Sequence, residues 1–240
     1  MDLTHVQFCI NNPKLDVIAL EILRKNNRKL WGDIQKRYFP FRSIQVWDSR
    51  EIQKLLKQIY LKNQLELSRS RENFKKWWGV IENLWYLFLQ DIFELNLRKT
   101  IFTAYVGISP IFPRNLETET FLVPLHACKQ ELLRICAHET YHFYFYRKIK
   151  KINFTIQPDK KYLWLTSEIL VPLLFSDSRA VNILGQMPQS SYVCKQSFIE
   201  KCRRIYKRRS KGEISFQELF NCLLQREIRA EKMNKKFFIL

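Results

Sequence analysis

The spacing of apolar and polar positions changes character near Lys99. Before that point the period is helical. Asn12-Pro13 predicts a cap and a first turn, and Leu15, Ile18, Ile22 and Leu23 follow at helical spacing. Asp48 and Glu51 read as a capping box ahead of Leu55, Leu56, Ile59 and Tyr60, with a candidate strand, "SIQVW", just before. From Arg71, the positions Phe74, Trp77, Trp78, Ile81, Leu84, Trp85, Phe88 and Ile92 predict one strongly amphipathic helix. An aromatic stripe at helical period marks a core face rather than a platform for stacking bases.

Beyond Lys99, "TIFTAYVGI" and "FLVPL" are β-branched and aromatic enough for strands, with the proline-bearing loop "SPIFPRNLETET" between them. Pro124 near the end of the second suits a sheet edge. A helix over about 128–148 comes next, then the polar connection "KKINFTIQPDKKY" and a helix over about 164–184 that stops at Gly185. Two further helices close the chain, the last opened by Ser215 and Glu218 as a capping box. The expected fold is α+β, mostly helical with a small mixed sheet beside the helix near 128–148. Three regions follow: a helical 1–96, a core 97–190 and a basic helical 191–240.

Composition adds limits. With 46% hydrophobic and 14% aromatic residues the chain can bury a sizeable core, which excludes a disordered protein. No apolar run nears the ~20 residues of a membrane helix, and "MDLTHVQFCINNPK" lacks the pattern of a signal peptide. Six cysteines without a CxxC pair read as free thiols in a reducing compartment. A cytoplasmic protein without a membrane span is expected. The formal charge of +18 creates a field that attracts polyanions. It concentrates in "KCRRIYKRRSK", residues 201–211, with seven cations and no acid. On a helix, Lys201–Lys211 is either solvated surface or a face for nucleic acid or an acidic partner, with Arg203, Arg204, Arg208 and Arg209 foremost.

The chemistry lies in "ICAHETYHFYFY". His138 and His142 sit one turn apart on one helical face, so both imidazoles can reach one ion, and Glu139 leans to the same side. A metal, two histidines and a carboxylate that can hold and deprotonate a water suit the hydrolysis of a carbonyl. The alternative is an unliganded pair of core histidines. The apolar flanks (Leu132, Leu133, Ile135, Phe143, Phe145) argue against it, because ionisable side chains in such company need a partner. Catalytic zinc normally has three protein ligands. The histidines are His5, His126, His138 and His142, so none follows the motif and a third ligand from downstream must be a carboxylate or cysteine. Glu168, within "LWLTSEILVPLLFSD", is the carboxylate in apolar company, and Pro172 cannot supply the N–H that its carbonyl would accept. Asp177 is the second choice, either as ligand or as a partner of a ligand histidine. The other downstream carboxylates, Glu227 among them, mostly read as solvated surface.

Over about residues 100–184, "AHETYHF" followed by "LTSEILVPLLFSD" resembles the gluzincin branch of the zincin metallopeptidases, an HExxH helix and then a glutamate on a following helix. It is also similar to small uncharacterised bacterial zincin-like proteins. The resemblance implies a zincin-like core in which His138, His142 and Glu168 bind Zn2+ and Glu139 acts as general base. It also implies a sheet whose edge strand, here residues near 119–125, takes up a peptide or protein substrate. Ser167 stands before Glu168 where better-known members carry an asparagine in an Asn-Glu pair. No residue identifies itself as the oxyanion stabiliser, for which His126 and Tyr192 are the candidates. The expected function is a zinc-dependent peptidase. The alternative is a non-catalytic binding module, either a degenerate zincin or a polyanion-binding protein.

Overall fold

No element is expected before Asn12, yet His5–Ile10 forms strand β1, with Val6 and Phe8 buried while His5 and Gln7 face out. The computed structural model describes residues 4–26, 48–95, 100–108, 114–154, 158–187 and 195–232. β1 runs parallel to β2 (Ile101–Gly107), which runs parallel to β4 (Thr120–Pro124); the two-residue β3 (Arg114–Asn115) pairs antiparallel with β4. The order is β1-β2-β4-β3, a small mixed sheet. Because β3 lies against Thr120 and Phe121, this part of residues 119–125 is not the free edge expected for substrate addition.

Two compact units emerge: His5–Val80 with Ile101–Cys136, and Met1–Thr4 with Ile81–Thr100 and Ala137–Leu240. The first holds the sheet with helices α1 (Pro13–Asn26), α2 (Ser49–Lys62) and α3 (Gln64–Gly79). Asn12 accepts from the Lys14 N–H and Asp48 from those of Arg50 and Glu51, so both expected helix starts are capped. The buried face of α1 differs from expectation. Leu15, Ile18 and Ile22 are exposed, while Asp16, Val17, Ala19 and Leu20 point inward. Asp16 accepts a hydrogen bond from the Tyr60 hydroxyl, which turns that side of α1 to the core. Gly107 at the end of β2 admits this arrangement: a Cβ there would lie 2.9 Å from the Asn11 Nδ2 and 3.0 Å from either Asp16 carboxylate oxygen. The candidate strand "SIQVW" falls outside the described residues.

The second unit is helical. α4 (Glu82–Phe93) buries Trp85, Tyr86, Phe88, Leu89, Ile92 and Phe93. The long amphipathic helix expected from Arg71 is thus two, α3 and α4, separated at Val80–Ile81 just after Gly79, the poorest helix former in the run after proline. Most of its stripe is core, as its period indicated: Phe74, Trp78, Trp85, Phe88 and Ile92 are buried, whereas Leu84 is exposed. Helix α5 (Lys129–Lys151) continues from the first unit into the second. It is followed by α6 (Lys160–Phe175), α7 (Ser178–Leu184), α8 (Gln196–Ser210) and α9 (Phe216–Lys232). The single helix expected over 164–184 is α6 and α7, because Asp177 accepts from the Arg179 N–H and starts a new helix. Gly185 ends α7 at φ +78°, a conformation glycine adopts without strain. Ser215 and Glu218 exchange hydrogen bonds as the capping box of α9.

Cys9, Cys128, Cys136, Cys202 and Cys222 are free thiols. Among the described residues no helix is long and apolar enough to cross a membrane.

Candidate metal centre

Around the motif, α5 is apolar on every side. Leu132, Ile135, Ala137, Tyr141, Tyr144 and Phe145 are all buried, although they point in different directions round the helix. A helix of this kind lies within a core. Its two unnamed motif positions fix its rotation. Thr140 accepts from the Trp85 indole N–H of α4 at 3.1 Å. The Tyr141 hydroxyl donates to the Ser167 carbonyl of α6 at 2.7 Å. That second bond holds α6 beside α5 at the residue before Glu168.

With the helices so fixed, His138, His142 and Glu168 come together, each offering a ligand atom within 4.8 Å of the others. The two Nε2 atoms are 3.0 Å apart. Glu168 places Oε1 3.4 Å from the His142 Nε2 and Oε2 3.9 Å from the His138 Nε2. Ligand atoms about 2.05 Å from a tetrahedral ion lie roughly 3.3 Å from one another, so this donor set could hold a metal ion. Glu139 is 2% exposed, with Oε1 3.9 Å from the His138 Nε2. His142 is fully buried and the side chain of His138 is 15% exposed, so the centre meets solvent on the His138 side. Two buried carboxylates beside two imidazoles would be expensive to desolvate without a cation, and an ion with these ligands removes that penalty.

The other candidates lie elsewhere. Asp177 is outside the cluster and is fully engaged in capping α7 and holding α8. Burial opposes its ionisation, but hydrogen bonds from Arg179 and Ser210 outweigh that and hold its carboxyl below the usual range. His126 is half exposed and pairs with Glu66 at 3.1 Å in the sheet unit. Tyr192 falls outside the described residues.

Glu227 departs from its sequence reading. It is fully buried on α9 and accepts from the Thr166 hydroxyl at 2.7 Å, two residues before Glu168 on α6. The signal was present: Phe216, Leu219, Phe220 and Leu223 lead to 227 on one helical face. Desolvation pushes its carboxyl up to about 8, against the smaller effect of the Thr166 hydrogen bond. The folded state therefore binds this proton more tightly than the unfolded chain. The resulting stability is complete below the ordinary glutamate range and is lost as pH rises through about 8. In metal-free protein this group should lower the unfolding free energy by up to about 1.4 kcal/mol per pH unit across that window. Glu227→Gln should flatten the slope in urea titrations at several pH values. An unchanged slope would show that Glu227 is ionised in the fold.

No known protein family matches the chain, and neither does any curated protein or solved structure.

Proposed function

We propose that the chain is a zinc-dependent peptidase. The observation that carries this reading is a buried His-His-Glu donor set with a further carboxylate, Glu139, on the same helix face. Zinc there would supply a Lewis acid for a peptide carbonyl and make a nearby water more acidic. His138 and His142, as neutral ligands, would leave such an ion most of its positive charge, and Glu168 would help to hold it in place. Glu139 takes the proton of the attacking water and delivers it to the leaving amine, so one carboxylate serves as base and then as acid. Its burial keeps competing water away from that proton. The Tyr141 hydrogen bond holds the two ligand-bearing helices in register and the Thr140 bond ties the first of them to α4, as outer partners do around metal sites. A peptide or protein substrate is the corresponding partner.

Elemental analysis of purified protein tests this first. About one zinc per chain should survive dialysis, and His142→Ala should lose it. Wild-type protein that holds no metal overturns the proposal. Protein that holds zinc and cleaves none of a broad peptide library is a binding protein instead.

A further inference from the structure

The basic segment contributes nothing to the metal centre, and the structure divides its cations by role. Arg209 is buried, donating to the carbonyls of Ile92 and Asp91 and approaching that of Ile214, so it belongs to the core. Its place among the expected surface contacts is thereby corrected: a guanidinium that binds main-chain carbonyls of α4 is not available to a partner. Arg203, its side chain 19% exposed, pairs with Glu200, and Arg208 pairs with Glu213 at the surface. Arg204, Lys207 and Lys211 are exposed and form no salt bridge with the described residues.

At about 100° per residue, Arg203, Lys207, Lys211, Arg204, Arg208 and Lys201 fall on one arc of roughly 160°. The opposite side of α8 carries Phe198, Ile199, Cys202 and Tyr206, all buried. One acid, Glu200, interrupts the arc, and it is the partner of Arg203. The arc borders a cleft of about 230 Å³ between α8 and the corner of α6 and α7. Arg203 and Lys207 form one wall, and Ser176 and Ser178 stand on the other. Asp177 also lines it, but its carboxylate already accepts from Tyr206, from Ser210 and from the main chain and guanidinium of Arg179. With that acid neutralised by Arg179, the donors for a ligand are Lys207, the Ser178 hydroxyl and Arg203, whose Nε and Nη2 already donate to Glu200 and must exchange that carboxylate for the ligand.

We propose that this cleft seats a backbone phosphate of a nucleic acid, with the next phosphates lying along the arc of α8. Donors converge on the cleft from two walls, which suits a tetrahedral anion better than a planar carboxylate. From Arg203 to Lys211 the arc extends roughly 12 Å along the helix, more than one phosphate occupies, so a chain of phosphates fits better than a single ion. Contacts of this kind hold the backbone and carry no sequence information, so binding is salt-dependent and indifferent to sequence. The site is independent of the metal reading.

The test is fluorescence anisotropy with a single-stranded DNA of roughly 20 nucleotides, titrated at several salt concentrations between about 50 and 200 mM. Arg203→Glu with Lys207→Glu should weaken binding at least tenfold and make the plot of log affinity against log salt shallower by about 1.4, the value for two lost phosphate contacts on a single strand. Lys207→Ala, which breaks no bond within the fold, should weaken binding about threefold and guards against an unfolded double variant. Lys75→Glu with Lys76→Glu on α3 makes the same change in net charge and should have less than about a twofold effect. Equal loss in that control, no loss in the cleft variants, no salt-sensitive binding by wild type, or equal competition by polyglutamate would each overturn the proposal.

Discussion

Glu139→Gln should keep its zinc and hydrolyse peptides at least about 100-fold more slowly than the wild type. Glutamine has the size of glutamate and still accepts hydrogen bonds, but it cannot take a proton from water at neutral pH. Glu139 has little room to be replaced by another base: it is 2% exposed, with Oε1 3.9 Å from the His138 Nε2, and His138, His142 and Glu168 are all committed as ligands in this reading. A 100-fold loss corresponds to about 2.7 kcal/mol of lost transition-state stabilisation. Because the side chain is not among the ligands, metal content should not change, which separates this variant from any that empties the site. Equal activity of the variant on a peptide that wild type cleaves would remove Glu139 from the mechanism.

Glu168→Ala should cost zinc affinity more than the loss of an outer partner does, so more than about 100-fold. The variant relieves a buried negative charge, so the metal-free protein need not be less stable than metal-free wild type. What should vanish is the rise in melting temperature on adding zinc, since only a ligand that binds the folded state raises it. Asp177→Ala provides the contrast. It strips the cap of α7 and releases Arg179, Tyr206 and Ser210, so it should lower stability with or without zinc and leave zinc affinity in place. If Asp177→Ala empties the site and Glu168→Ala does not, the third ligand has been assigned to the wrong carboxylate.

Much of the centre was legible because its chemistry is local. His138, Glu139 and His142 share one helix, so their spacing alone aligns them, and Glu168 stood out as a charge among apolar neighbours. Features that depend on a distant partner were not legible. α1 carries apolar residues on two faces, and the choice between them is made by Tyr60, 44 residues away, through Asp16. The divisions at Val80–Ile81 and at Asp177 escaped because apolar periodicity continues across both, although Gly79 and the capping side chain of Asp177 mark them. β3 is too short to show an alternation, and its pairing is what removes β4 from the sheet edge. Glu227 was legible in principle: its helical face is apolar, and only its own charge hid it.

The helical unit draws on Ile81–Thr100 as well as on everything from Ala137 onward, so the chain leaves it and returns before the ligands are reached. This has a consequence for synthesis and for dissection. A fragment from 137 to 240 would contain every proposed ligand but none of α4, so Thr140 would lose the Trp85 indole and Tyr141 its neighbour Phe93, 5.7 Å away ring to ring. During translation, α4 must wait for more than forty residues of sheet and α5 before its partners leave the ribosome. The candidate centre therefore needs α4 as well as α5 and α6, and an excerpt that begins after α4 carries the proposed ligands without part of their frame.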